Sequence, residues 1–128
     1  MSSAVLDASA LLALLNQEEG SEEVSELVAA GATISAVNLS EVAAKLSLVG
    51  MPEALIRAAL GPLGLEVASF DAETAYQTAL LAGLARAMGL SLGDRACLAL
   101  AAQAGLPAVT ADRAWRPLEL SVEVRVIR

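Results

Sequence analysis

Asp7, Glu41, Asp94 and Asp112 have the strongest claim to chemistry in this chain, because each stands where charge is hard to tolerate. Asp7 is the only charged residue between Ala4 and Gln17, and Glu41 the only one between Leu27 and Ala44. Asp94 and Arg95 are alone between Ala87 and Ala111, and Asp112 closes the apolar run that begins at Leu106. A carboxylate buried without a partner costs several kcal/mol or shifts its pKa, so an isolated acid in apolar sequence calls for a nearby cation. Four such acids on separate segments point to a shared divalent metal. Glu18, Glu19, Glu22, Glu23 and Glu26 are different, because they crowd one short polar segment and read as a solvated surface.

Each acid also has a local explanation. Asp7 can cap a helix, Asp94 suits the first turn of one, Glu41 has Lys45 four residues on for a surface pair, and Asp112 beside Arg113 can be a turn residue. The case for a joint site rests on their neighbours. Ser9 follows Asp7, Asn38 lies one turn before Glu41, Ser91 precedes Asp94 and Thr110 precedes Asp112. Such small polar side chains orient metal-binding carboxylates. Asp71, ahead of a long helical pattern, reads as a cap only. Arg95 and Arg113 flank the proposed site; they can contact phosphate or balance the adjacent acids, and the balancing role is the slightly preferred one. Trp115 reads as a packing residue.

The remaining composition narrows the chemistry. There is no histidine, which removes Ser-His and Cys-His catalysis and most zinc and iron sites, and leaves oxygen ligation. The single Cys97, in the apolar run Arg-Ala-Cys-Leu-Ala-Leu, reads as a small core residue and suits a reducing cytoplasm. Trp115, Tyr76 and Phe70 are the only aromatics, so base stacking is not this chain's main device. A net charge of −7 repels nucleic acid overall, and a phosphate substrate would need a bound cation or basic arms from a partner. No secretory signal is visible, and no apolar run reaches the ~18 clean residues of a membrane span. A soluble protein of one domain, residues 1–128, is expected.

The elements that must carry these acids follow from hydrophobic pattern and breakers. Val5-Leu6 opens a strand, and Asp7 caps a helix over Ala8 to Leu15. Ser21 is expected to cap a second helix that stops at Gly31, and Ala32 to Ser35 forms a second strand. A helix from about Val37 to Leu48 ends at Gly50, and Pro52 starts another that breaks at Gly61-Pro62. Leu65 to Ser69 is a third strand. Asp71 then caps one long helix through Met88 and Gly89, and Gly93-Asp94 begins a helix ending at Gly105. Ala108 to Thr110 is a fourth strand, and alternating Val122, Val124 and Val126 mark a fifth. Helices between strands predict a parallel sheet covered on both faces. Ligands of open α/β sheets sit beyond the carboxyl ends of the strands, where these acids can converge.

At these residues the chain resembles the PIN-domain ribonucleases, and within them the VapC toxins of toxin-antitoxin pairs. The resemblance is carried by Val-Leu-Asp-Ala-Ser-Ala-Leu-Leu-Ala-Leu-Leu (5 to 15) and Ser-Ala-Val-Asn-Leu-Ser-Glu-Val (35 to 42). It continues in Leu-Ser-Leu-Gly-Asp-Arg-Ala-Cys-Leu-Ala-Leu-Ala (90 to 101) and Ala-Val-Thr-Ala-Asp (108 to 112). It implies a PIN-like three-layer α/β sandwich with a central, mainly parallel sheet of four to five strands flanked by helices. It further implies Mg²⁺ or Mn²⁺ held by Asp7, Glu41, Asp94 and Asp112, with Ser9, Asn38 and Thr110 in support. The implied activity is endoribonucleolytic cleavage of structured RNA such as tRNA or rRNA by metal-activated water, in the cytoplasm. The implied partners are a second copy and a small VapB-like antitoxin covering the active-site groove.

Three alternatives stand beside it. PIN domains in RNA processing share the acidic quartet without being toxins. A haloacid-dehalogenase-like phosphatase would use Val-Leu-Asp-Ala-Ser as its nucleophile strand, but Leu98 stands where a second acid is wanted. The only lysine, Lys45, also lies too early, which counts equally against a phosphoacceptor receiver domain. The third is a catalytically inactive interaction module, to which the mean hydropathy of +0.62 is no obstacle.

Overall fold

The computed structural model describes residues 2–115 and 121–128. Five short strands, β1 (Val5–Leu6), β2 (Thr33–Ser35), β3 (Glu66–Ala68), β4 (Ala108–Thr110) and β5 (Val124–Val126), form one sheet in the order β3-β2-β1-β4-β5. Every pairing is parallel. Among the described residues seven α-helices intervene: α1 (Ala8–Leu15), α2 (Ser21–Ala30), α3 (Ala36–Leu48), α4 (Glu53–Leu60), α5 (Ala72–Ala79), α6 (Ala82–Met88) and α7 (Leu92–Ala104). This is the expected α/β architecture. Among the described residues no helix is long and apolar enough to cross a membrane.

The period-two geometry of a strand sorts the core. Leu6 and its registered neighbours Ile34 and Val109 face one side, whereas Val5 and Ala108 face the other. Leu6 and Val109 pack with Ala10 and Ala13 of α1 and Val24 of α2. Ile34 joins Leu11 of α1 and Val42 and Leu46 of α3. On the opposite face Val5 and Ala108 meet Cys97, Leu98 and Ala101 of α7 together with Trp115. Both faces of the central strand are therefore sealed, which is why its residues read as a continuous apolar run.

Three boundaries differ from expectation. Ser21 does not cap α2; Gly20 does, with φ 94° and no side-chain cap bond. A Cβ at Gly20 would lie 2.8 Å from the Ile127 side chain, so packing and backbone both demand glycine there. The long helix expected from Asp71 to Met88 is two helices. Its first half closes in tight turns, Leu80 N to Gln77 O (3.3 Å) and Leu81 N to Thr78 O (3.1 Å). The buried Thr78 hydroxyl donates back to Thr74 O at 2.7 Å, a bond that bends helices. Finally, α7 begins at Leu92 rather than at Gly93-Asp94, because Ser91 is its cap.

The chain runs from β1 outward through β2 and β3, then returns to the other side of β1 with β4 and β5. Strand order thus reverses between β1 and β4, and the crevice beyond their carboxyl ends is the usual ligand position in such sheets. Asp7 leaves β1 at that point, and Asp112 lies two residues past β4.

Candidate active site

Asp7 is buried, only 4% exposed, although it carries a carboxylate. Its backbone N–H extends the ladder to Val109 O (3.0 Å) and its Oδ1 accepts from Ala10 N (2.8 Å), so it closes β1 and caps α1. Three further bonds fill the side chain. The Ser9 hydroxyl lies 2.7 Å from Oδ1 and 2.9 Å from Oδ2, and Thr110 Oγ1 donates to Oδ2 at 2.6 Å. Burial pushes the Asp7 carboxyl up to about 6, against the opposing pull of the bonds from Thr110, Ala10 and Ser9; the Asp94 charge pushes in the same direction as burial. A cation would relieve that penalty.

Thr110 is the hub between β1 and β4. Besides donating to Asp7, its hydroxyl oxygen accepts from Asp112 N at 3.0 Å and lies 3.2 Å from Ser9 Oγ, which itself accepts from Ala111 N at 2.9 Å. Sequence adjacency pairs Thr110 with the Asp112 carboxylate. In the fold the hydroxyl serves the Asp7 carboxylate instead and touches Asp112 only through its backbone. The Asp112 carboxylate is exposed, and its Oδ1 accepts from Ala114 N at 2.9 Å at the start of the 3-10 turn Arg113–Trp115.

Asp94 is half-buried at the third position of α7 and forms a capping box: its Oδ2 accepts from Ser91 N (2.9 Å) while Ser91 Oγ accepts from Asp94 N (3.1 Å). The Ser91 hydroxyl therefore binds the Asp94 backbone, not its carboxylate. Glu41 does not pair with Lys45; among the described residues its partner is Asn38, whose Nδ2 donates to Glu41 Oε1 at 2.9 Å and to Gly93 O at 3.1 Å. Asn38 is 1% exposed, and its Oδ1 is buried without a donor.

Three of the four acids meet electrostatically at Cys97. Burial pushes this thiol far up, and the charges of Asp7, Asp94 and Glu41 add to it in that order. Cys97 is the buried core residue expected, and its neutrality rules it out as a nucleophile. As the side chains stand, no three acid or thiol groups among the described residues are gathered closely enough to enclose an ion. Asp94 is drawn back to its cap and Asp112 to its turn. The donor set still fits Mg²⁺ or Mn²⁺ in kind, being all oxygen, with one desolvated carboxylate at its base and an orphaned acceptor on Asn38 beside it.

A profile of the PIN domain matches residues 4–119. The chain belongs to the PIN domain family. Its fold is similar to the DNA-bound VapBC structure from Salmonella typhimurium, at a TM-score of 0.76 and 21% identity over 100% of both chains. VapBC2 from Rickettsia felis bound to a promoter DNA fragment gives 0.73 and 17% over 98% of each chain. The sarcin-ricin loop cleaving toxin VapC20 from Mycobacterium tuberculosis gives 0.72 and 20%, covering 94% of this chain and 99% of that one. No curated protein matches.

The remaining polar residues of this PIN domain are also placed. Arg95 and Arg113 do not balance their neighbouring acids: among the described residues neither lies within ion-pair distance of an Asp or Glu carboxylate. Arg113 Nε donates to Arg128 O at 2.9 Å, and Arg95 Nε is buried without a partner. Trp115 is fully buried against Val5, Leu98 and Ala108, in the packing role expected of it. Gly93 carries no chemical signal in the sequence, yet it lies directly against the Glu41 carboxylate.

Proposed function

We propose that this PIN domain is a metal-dependent endoribonuclease, the toxin of a VapBC-type pair, hydrolysing phosphodiester bonds in structured RNA. The observation that carries the proposal is the buried Asp7, held on both oxygens by Ser9 and Thr110 and repelled by Asp94, at the point where strand order reverses. Asp7 also caps α1, but a neutral serine or asparagine would serve that cap without bringing a charge into the core. The family match and the likeness to VapBC folds support the same reading and, with it, a small antitoxin partner; a homodimer, an antitoxin seated over the groove and a cytoplasmic setting belong to the proposal.

Asp7, Asp94, Asp112 and Glu41 would hold Mg²⁺ or Mn²⁺, which when bound activates water and neutralises charge on the phosphoryl oxygens. The chain's own residues supply position. Ser9 and Thr110 fix Asp7 in one orientation without taking a proton from it, and Asn38 holds Glu41 toward α7. Asp94 keeps Oδ1 and Asp112 keeps Oδ2 outside the cap and turn bonds, so either can orient or deprotonate the attacking water. Arg95 and Arg113, with no Asp or Glu partner among the described residues, are the groups to contact phosphate, Arg113 by leaving its bond to Arg128 O. The missing histidine and the neutral Cys97 exclude histidine-activated and cysteine nucleophiles, so water is the attacking group in this reading and the ribose 2′-hydroxyl is not required. With the 3′ oxygen as the leaving group, the P–O3′ bond breaks and the products carry 5′-phosphate and 3′-hydroxyl ends.

The test is induction of the wild type and Asp7→Asn in a bacterial host with sequencing of RNA 5′ ends. New 5′-phosphate ends and a growth defect with the wild type alone are expected. Neither ends nor defect from the wild type would sink the toxin reading, and cleavage by purified protein that survives EDTA would sink the metal.

A further inference from the structure

Gly93 sits at the second position of α7 with an ordinary helical backbone; it is not among the glycines with positive φ. Conformation therefore does not explain a residue that helices disfavour. Space does. A Cβ built on Gly93 would fall 2.6 Å from Glu41 Cδ and 2.7 Å from Oε2, and closer still to Oε1. Gly93 is buried, and its carbonyl is tied to the same Asn38 amide that holds Glu41. The bare Cα of Gly93 and the Asn38 amide thus form a slot in which the Glu41 carboxylate lies against the start of α7, one residue before Asp94.

We propose that Gly93 is a positioning residue: its missing side chain admits the Glu41 carboxylate to the acidic site, and Asn38 latches it there. This rests on the metal-nuclease reading above and adds a residue whose own chemistry is nil. The slot also makes a variant with separable effects. Glu41 is exposed and its carboxylate is the far end of a flexible side chain, so an alanine at position 93 turns it out into solvent instead of straining the backbone. The helix itself gains from alanine. Fold and metal affinity should therefore part company.

The experiment measures Mn²⁺ affinity by calorimetry or electron paramagnetic resonance, with thermal unfolding alongside, on the full chain. Gly93→Ala should melt at or above the wild-type temperature yet bind Mn²⁺ roughly tenfold more weakly or worse, the usual scale for a lost supporting contact. Glu41→Gln should lose as much, and the double variant no more than either alone, because both remove one carboxylate from one place. Asn38→Ser, which keeps the glycine and removes the latch, should weaken binding in the same direction. Wild-type affinity in Gly93→Ala, or losses that multiply in the double variant, would overturn the slot while leaving the metal reading standing. A wild type that binds no Mn²⁺ would overturn both.

Discussion

The Thr110 hydroxyl donates to Asp7 Oδ2 at 2.6 Å across the boundary between β4 and β1, linking residues 103 positions apart in the chain. The same oxygen accepts from Asp112 N, so one small side chain connects the two strand ends that bracket the proposed site. Asp7 is tolerated in the core because Thr110 and Ser9 meet it with hydroxyls.

That tolerance is incomplete, and pH should reveal it. Asp7 has a folded pKa of about 6 against an ordinary 3.8. The folded state therefore binds this proton more tightly than the unfolded chain. Its stabilising contribution is whole below the ordinary value and is lost as pH rises through about 6, amounting to about 3 kcal/mol by neutral pH. Asp7→Asn should consequently be more stable than the wild type at pH 7 to 8, by up to that amount, and equal to it near pH 4. Urea unfolding across pH checks this; a variant less stable at pH 8 would contradict the burial argument.

Thr110→Val keeps the shape and removes the hydroxyl. The Asp7 pKa should rise further, since the bond from Thr110 lowers it, and Asp112 N loses its acceptor. A destabilisation of about 1–3 kcal/mol is expected. An NMR titration of the Asp7 carboxyl reads the pKa directly, and denaturant midpoints read the stability.

Asp94 combines two duties that different substitutions can separate. Asp94→Asn retains an oxygen for Ser91 N and should stay close to wild-type stability, whereas Asp94→Ala breaks the capping box. Ser91→Ala should cost about 1 kcal/mol through the lost cap alone. RNA cleavage should vanish in both Asp94 variants but survive in Ser91→Ala. Helix stability followed by circular dichroism, with cleavage assayed on the same preparations, distinguishes the duties.

Divalent metal should act on stability as well as on activity. Mn²⁺ that binds the folded protein must raise its melting temperature by mass action, and it should do so more at pH 7 than at pH 5, where protonated Asp7 resists ligation. EDTA should abolish both the shift and the cleavage. An identical melting shift in Asp7→Asn would place the ion elsewhere.

Much of this molecule is legible in one dimension. Short apolar runs alternating with helical patterns determine a parallel sheet, and Asp7, Glu41, Asp94 and Asp112 are conspicuous because charge is rare around them. The hydroxyls of Ser9 and Thr110 and the amide of Asn38 are visible as the small polar neighbours of those acids. The cap of α2 and the break near Leu80 were not, because Gly20 is required by Ile127 from the far end of the chain and the bend follows from a buried threonine bond. Side-chain direction was equally hidden. Thr110 borders Asp112 in sequence but serves Asp7, Glu41 has Lys45 in helical register but takes Asn38, and the Ser91 hydroxyl caps a backbone instead of orienting Asp94. Sequence by itself determined which residues carry charge into apolar surroundings. Only tertiary structure decided which partner each carboxylate takes and that the Glu41 carboxylate lies against the bare Gly93, since those depend on contacts between segments that local pattern does not encode.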